Sequence, residues 1–589
     1  MCGICFMCGW SISAQMLQEQ VLSCCSSLSN RGPDACAMTL VPITAEVVGL
    51  FEGCLLWLQG DQPTTQPLLD HRGNLLLWNG DILAGLQITK GMSDTQYISE
   101  SLSTKEEADI TSFLGNIKGP WALIYYQKHT QRLYFGRDVL GRHSLLWRLP
   151  SATSRVFLIA SVCRQDDRVK EIPALGLYYV DFSVVNLAEE FTVNLIPWTH
   201  VAEETLLSMD SVINIKKHKI SSCIQTRLNM CVPSIAIIEN IKALPCSLDE
   251  ENVKVLYLAL EDDVANLLKI LTNSIRRRVE KCPPKCRDCT NSTTKCVHTK
   301  VAVLFSGGLD SAMIALLLDS CLPESESVDL LNVAFPQKVP QNNRAKKLNT
   351  KKMSSSDDDS PRNYEVPDRI SGRQCWHQLQ ELRPLRRWNF VEINVSSAEL
   401  AEERESVIRH LVAPLTSVLD DSIGCALWFG GRGHGAVVGV PYTSPARVLL
   451  CGMGADEQLG GYSRHRARFT AAGWSALLEE ISLEISRIHT RNLGRDNRIL
   501  SDHGRAPRFP YLDEDVVNFL NSLPVWIKAN LYLPRGVGEK LVLRVAAAHL
   551  GLTAAAVLPK RAIQFGSRIA KLENSRERGS DPCVRLVEK

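Results

Sequence analysis

The stretch Val301 to Ser311 reads VAVLFSGGLDS, and its reading decides the fold of the second half of the chain. Val301 to Phe305 is a short unbroken apolar run of the kind that is buried on both faces of a parallel sheet. An apolar helical pattern, AMIALLL, follows at once, so a strand is expected to pass into a helix across Ser306, Gly307 and Gly308. The two glycines let the backbone turn tightly and present N–H groups at a helix N-terminus, where the dipole favours an anion. We read Ser306, Gly307, Gly308 and Ser311 as a loop built to hold phosphate. Asp310 adds a carboxylate suited to Mg²⁺ beside it. The GxxxxGK[ST] pattern of lysine-centred P-loops is missing, which makes an ordinary P-loop NTPase a poor reading.

A second junction of the same kind is VLLCGMGADEQLGGY, Val448 to Tyr462, where an apolar strand runs into Gly452 and Gly454 and then Asp456 and Glu457. Strand ends of this sort are where open α/β sheets bind ligands. Between the junctions, Leu330 to Phe335 and Asn389 to Val395 read as strands and Cys375 to Leu382 as a helix, an alternation that supports a doubly wound parallel sheet. Residues 340–363, rich in Lys, Ser, Asp and Asn, are expected to be a disordered insertion.

The chain has 589 residues, enough for two to four domains, with 45% hydrophobic and 22% charged residues. Lys and Arg number 66 against 64 Asp and Glu, so nothing calls for nucleic acid or an anionic membrane. No stretch of about twenty uncharged apolar residues offers a membrane span. The start lacks the basic, apolar and cleavage regions of a signal peptide, so the twenty cysteines are expected to be mostly reduced thiols in a cytoplasmic protein. No feature identifies a protein partner.

At the other end, removal of Met1 would leave Cys2 with a thiol and a free α-amine of pKa near 8 in one residue, a nucleophile sharing a backbone with its own base. Four segments follow: Arg31 to Asp34 (RGPD), Asn79 to Asp81 (NGD), Ser93 to Thr95 (SDT), and Phe135 to Asp138 with Gly141 (FGRDxxG), the last preceded by the alternating strand Trp121 to Tyr126. Taken alone, Arg31 and Asp34 suit a polar turn and Asn79-Gly80 a hairpin turn. In this order they resemble class II, N-terminal-nucleophile glutamine amidotransferases, and the SGGLDS loop resembles the ATP pyrophosphatases, which cleave ATP between the α and β phosphates. The pairing is similar to glutamine-hydrolysing asparagine synthetase, and most like the divergent asparagine synthetase domain-containing branch of that family.

The resemblance implies an α+β N-terminal nucleophile domain of αββα layering at residues 1–185, a connector with an amphipathic helix at 186–284, and an α/β ATP pyrophosphatase domain at 285–589. It implies Cys2 as nucleophile and Asn79 and Gly80 as oxyanion donors. Arg31 would take the α-carboxylate of glutamine, Asp94 its α-ammonium, and Asp81 would complete that pocket. Asp310 and Asp456 would share Mg²⁺ on the pyrophosphate of ATP, with Gly452 beside it, as aspartate or another acceptor acid attacks the α phosphate. Arg508 to Asp513 and Gly538 to Arg544 resemble late family segments that serve packing as much as chemistry.

The departures are informative. NGEIYN becomes NGDILA and the histidine before RGPD is Asn30, which would weaken glutamine binding without removing the nucleophile. Met453 stands where asparagine synthetases carry a proton-accepting glutamate, and methionine accepts no proton. Ala562 stands where RxKxxF has its pyrophosphate lysine, leaving Lys560 or Arg561 to reach that charge. These gaps keep a second reading open: a weak or inactive relative serving as an ATP-binding or interaction scaffold.

Two connecting segments complete the reading. Glu251 to Val279 is expected to be one long helix with Val255, Leu258, Leu260, Val264, Leu267, Leu268 and Leu271 on one face. Cys282, Cys286, Cys289, Cys296 and His298 carry zinc-ligand chemistry, but their irregular spacing and the lack of a second CxxC favour a surface insertion of reduced cysteines.

Overall fold

The alternation of the first strand sets the architecture of the N-terminal half. In Gly3–Trp10, Ile4, Phe6 and Cys8 face one core together with Leu75, Leu77, Ile124 and Phe135, while Cys5 and Met7 face Leu17 and Val21 of the helix Ala14–Cys24. This strand is central in a six-stranded sheet, between Val47–Leu55 and Val156–Ala160. The second, seven-stranded sheet contains Leu75–Gly80, Trp121–Gln127, Arg132–Arg137 and Gly176–Asp181 as successive neighbours. Its outer face, with Leu76 and Trp78, is covered by Ile98 and Leu102 of the helix Asp94–Leu102 and by Ile110 and Leu114 of Glu107–Gly115. The layers therefore run helix, sheet, sheet, helix.

The computed structural model describes residues 2–10, 12–151, 154–184, 191–290, 292, 294–337, 364–572 and 577–586. The expected disordered insertion at 340–363 lies outside the described residues. No described helix is long and apolar enough to cross a membrane.

The boundary expected at residue 185 moves. Val193–Pro197 pairs antiparallel with Gly176–Asp181, and Ile213–Ile215 pairs parallel with Val193–Pro197, so both belong to the second sheet. The cause is alternation: Val193 and Leu195 point into the core between the sheets, and Ile196 into the core under the outer helices. The single helix expected over 251–279 is two, Glu250–Ala259 and Glu261–Val279, broken at Leu260 with φ −129° and ψ 18°. Leu260, Val264, Leu267 and Leu271 are buried, but Val255 and Leu258 are 51% and 72% exposed, because the break turns the first helix away from their shared face.

The C-terminal sheet places five parallel strands in the order Trp388–Asn394, Val328–Ala334, Val301–Leu304, Val448–Leu450, Ala506–Arg508. An antiparallel hairpin, His434–Val437 with Val440–Thr443, is added beyond Trp388–Asn394. Val301 and Val303 pack on one side with Leu271 and Ile275 of the helix Glu261–Val279, and Ala302 on the other with Leu427 and Phe429 of Val418–Arg432. Strand order reverses between Val301–Leu304 and Val448–Leu450, which opens a crevice at their carboxyl ends.

The halves meet along a seam of buried ion pairs: Asp81 with Arg508, Asp34 with Arg447, Glu171 with Arg498, and Arg142, itself held by Asp138 of its own half, with Glu514. Leaving one partner of such a pair alone costs roughly 3–5 kcal/mol, so the seam holds one relative placement of the halves.

Candidate active site

The thiol of Cys2, just ahead of Gly3–Trp10, opens on a narrow cleft also lined by Gly80, Asp81, Asp94 and Thr95. Cys2 is buried, and burial pushes its thiol pKa up. Gln66, to which the sequence draws no attention, lies with its Nε2 3.8 Å from the Cys2 sulfur while donating to the Trp78 carbonyl at 2.9 Å.

Asn79 and Gly80 are the last two residues of the strand Leu75–Gly80, paired with Ala122 and Trp121, so they form no hairpin turn. Asn79 is fully buried, yet neither its Oδ1 nor its Nδ2 has a hydrogen-bond partner. An orphaned buried amide is costly, roughly 1–3 kcal/mol, and one left at the end of a strand calls for a functional explanation.

Asp81 is already engaged. Its carboxylate accepts from Arg508 Nη2 at 3.0 and 2.9 Å and from Gln59 Nε2 at 3.0 Å. Arg508 ends the parallel strand Ala506–Arg508, so this pair ties the cleft directly to the C-terminal sheet. Asp94 is less satisfied: it accepts from Trp78 Nε1 at 3.1 Å and from the Thr95 N–H at 2.8 Å. Burial, and then the neighbouring Asp81 charge, raise its pKa to about 7. Its place at the first position of Asp94–Leu102 is set by Ser93, whose hydroxyl caps the helix in a capping box with Gln96.

Arg31 does not line the cleft. Its Nε donates to the Cys2 carbonyl at 3.4 Å and its Nη2 to Asn497 Oδ1 at 2.9 Å, while Nη1 has no partner. Burial, with Arg498 nearby, lowers its pKa to about 10. It holds the backbone of the residue bearing the thiol.

In the crevice of the C-terminal sheet, Gly307 has φ +72°, and a Cβ there would run into the Ser371 carbonyl. Ser306 Oγ accepts from the Gly308 N–H at 3.2 Å and Ser311 Oγ donates to the Gly308 carbonyl at 3.1 Å, so both serines shape the loop. Gly308 caps the helix Leu309–Asp319. A side chain at Gly452 would press on Asp310, its Cβ only 3.0 Å from that of the aspartate.

Asp310 and Asp456 converge on one ammonium. Lys540 Nζ lies 2.7 Å from each oxygen of Asp310 and 2.6 Å from Asp456 Oδ1, and Lys560 Nζ bonds Asp456 Oδ2. Burial alone would raise the Asp456 pKa; Lys540 and Lys560 outweigh it and hold the carboxyl well below the usual range. Lys540 sits at φ +55°, in the left-handed region where a long side chain is an outlier, and such strain collects at functional sites. Sequence reasoning placed Lys540 only in a segment of mixed purpose. Its αL backbone, which aims the side chain into the crevice, has no signal in the residue types.

Met453 is half-buried among apolar side chains. Glu457, three residues after Gly454, is buried and accepts from Tyr462 Oη at 2.6 Å and Asn492 Nδ2 at 3.0 Å, with its pKa raised by burial and then by Asp456.

Comparison with known proteins agrees with this two-part geometry. The family model for a glutamine amidotransferase domain matches residues 1–174, and that for asparagine synthase matches 296–474 and 469–575. The chain is thus a glutamine amidotransferase domain joined to an asparagine synthase domain. It is 42% identical to asparagine synthetase domain-containing protein 1 of Bos taurus, over all of this chain and 98% of the relative, and 41% identical to that of Homo sapiens, over the same shares. A Drosophila melanogaster asparagine synthetase domain-containing protein is 34% identical over 94% of each chain. The chain belongs to the asparagine synthetase domain-containing protein family.

Proposed function

We propose that the chain is a glutamine-dependent amidotransferase that amidates aspartate at the expense of ATP. After removal of Met1, the Cys2 thiol attacks the side-chain carbonyl of glutamine, its proton passing by way of the α-amine to the departing nitrogen. Ammonia leaves, a γ-glutamyl thioester forms, and water then releases glutamate. Asn79 Nδ2 and the Gly80 N–H face the oxygen that becomes negative. In the second site the aspartate carboxylate attacks the α phosphate of ATP, expelling pyrophosphate, and ammonia displaces AMP from the acyl-adenylate to give asparagine.

The convergence of Asp310, Asp456, Lys540 and Lys560 at the strand-order reversal carries this reading. Two carboxylates drawn to a single ammonium form a donor set that fits Mg²⁺, which when bound supplies neutralisation of phosphate charge. Lys540 and Lys560 are the groups available to the pyrophosphate, and the loop 306–311 offers it N–H donors. Lys560 thus takes up the charge that Ala562 lacks. Glu457, whose raised pKa suits it to holding a proton, is the carboxyl of this motif that stands in for the absent acid at Met453.

The test is to incubate the protein with glutamine, aspartate, Mg²⁺ and ATP and to follow glutamate, AMP, pyrophosphate and asparagine. Stoichiometric glutamate, AMP and asparagine are expected. AMP without asparagine points to a different acceptor acid, and ATP binding without turnover to the scaffold reading, which Met453 favours.

Two variants probe the glutamine cleft. Asn79→Ala lowers the rate of glutamine hydrolysis roughly 10²–10³-fold, as loss of one oxyanion donor does, while the melting temperature holds or rises because an orphaned amide is gone. Glutamine binding at Asp94 requires the carboxylate. With its pKa near 7, apparent glutamine affinity falls as pH drops below about 7, by up to tenfold per unit, and Asp94→Asn flattens that profile. The same shift acts oppositely on stability. Between about pH 4 and 7 the folded chain keeps a proton on Asp94 that the unfolded chain has lost, so stability declines as pH rises through that window.

A further inference from the structure

Cysteine and histidine at irregular spacing came together in space where the sequence suggested a loose surface insertion. The sulfurs of Cys286, Cys289 and Cys296 and a nitrogen of His298 all lie within 4.8 Å of one another. His298 Nδ1 is 3.6, 3.3 and 3.9 Å from the three sulfurs in turn. A tetrahedral zinc ion, with bonds of roughly 2.3 Å to sulfur and 2.0–2.1 Å to nitrogen, sets sulfur–nitrogen edges of about 3.6 Å. We propose that Cys286, Cys289, Cys296 and His298 bind a structural zinc ion in a closed Cys₃His site.

The surroundings are those of a built site. Cys286 opens the 3₁₀ turn Arg287–Cys289, which brings the x₂-spaced thiols to the same side, and its own N–H donates to Cys296 Sγ at 3.3 Å. Such a donor to a ligating sulfur orients it and steadies its charge. Lys285 Nζ donates to the Thr290 carbonyl at 3.3 Å and to that of Ser292, closing the loop and setting a positive charge beside three sulfurs. Cys286 and Cys296 are buried, although a polar loop with no core of its own surrounds them. No disulfide joins any of the twenty cysteines. Zinc needs four ligands and no open position here, so the role is structural rather than catalytic.

The position says what the ion holds. The Arg287 N–H donates to the Pro445 carbonyl at 2.9 Å and its Nη1 to the His503 carbonyl at 3.0 Å, both in the C-terminal half. Thr290 Oγ1 donates to Asp34 Oδ1 at 3.2 Å and meets Arg447, which pairs with the same Asp34. The ion therefore locks a clip across the seam, between the RGPD turn and the first parallel strand, which starts three residues after His298. Residues 175–295 lie between the two family matches, so Cys286 and Cys289 belong to neither, while Cys296 and His298 fall at the start of the second. A second group among the described residues, Cys24, Cys25 and Cys163, has only its three thiols within 4.8 Å of one another, with Cys5 Sγ 3.9 Å from Cys25 Sγ, and serves as a control.

The full chain, purified without chelators, is expected to contain about one zinc per molecule by inductively coupled plasma mass spectrometry. Co²⁺ exchanged into the same protein gives the intense visible bands of a tetrahedral ion and a near-ultraviolet thiolate charge-transfer band. The double variant Cys289→Ser, His298→Ala, at the more exposed ligands, retains about a tenth of the metal or less and loses the cobalt spectrum, with its circular dichroism unchanged. Cys163→Ala keeps both. Zinc retained by the double variant overturns the proposal. So does a wild-type chain that takes up neither metal, or one in which mass spectrometry finds a disulfide between any two of Cys286, Cys289 and Cys296.

Discussion

Cys2→Ala is expected to end glutamine use altogether while leaving synthesis from free ammonia intact. The thiol is the one sulfur among the residues lining the cleft shared by Gly80, Asp81 and Asp94, and loss of a nucleophile that works as part of a unit costs up to roughly 10⁶-fold in rate. The substitution removes a sulfur from a small buried site and disturbs no ion pair of the seam, so the fold and the C-terminal crevice are unchanged. Glutamate release from glutamine and asparagine formation from ammonium chloride, measured side by side, separate the two sites. Continued glutamate release by the variant would show that the amino-terminal assignment is wrong.

Lys540→Ala is expected to have the largest effect on the ATP-dependent half. Lys540 is the shared partner of Asp310 and Asp456 and is almost wholly buried, so its removal leaves two carboxylates facing each other without the ammonium between them. Breaking such a buried arrangement costs about 3–5 kcal/mol of stability, read as a lowered urea midpoint. AMP and pyrophosphate formation fall at least 10²–10³-fold, the scale on which loss of a charge-stabilising group acts, while hydrolysis of glutamine at Cys2 continues. Lys540→Met, which keeps the length of the side chain, isolates the charge from the packing. Lys560→Ala is the smaller lesion, because its side chain is 26% exposed and Asp456 keeps Lys540. AMP formation at the wild-type rate in Lys540→Met would remove the lysine from the chemistry.

Much of this was legible in the residues. The run VAVLF followed by glycines fixes a strand-to-helix turn through local chain stiffness and burial on both faces, and VLLCGMGAD repeats it; the parallel sheet and the crevice at its strand-order reversal follow. Cys2, Gly80, Asp81 and Asp94 were identifiable as site candidates because their roles depend on residue type at the ends of strands and helices. The strand at 193–197 was readable in FTVNLIPW, Phe191 to Trp198, whereas the helix break at Leu260 and the strand at 213–215 were missed. In both misses the deciding contact lies in another part of the chain, with the sheet neighbour Val193–Pro197 or the core beneath Glu261–Val279.

By itself, then, the sequence determined the two domains, their order, and the local turns that present a thiol and a glycine-rich loop at a helix start, since these are properties of short stretches. Only the tertiary structure decided who partners whom. It gave Asp81 to Arg508, set Arg31 against the backbone of Cys2, joined Asp310 to Asp456 through Lys540, and gathered Cys286, Cys289, Cys296 and His298 around one point. Charges and ligands act over a few ångströms in space, whatever their separation along the chain, and the folded chain alone supplies that distance.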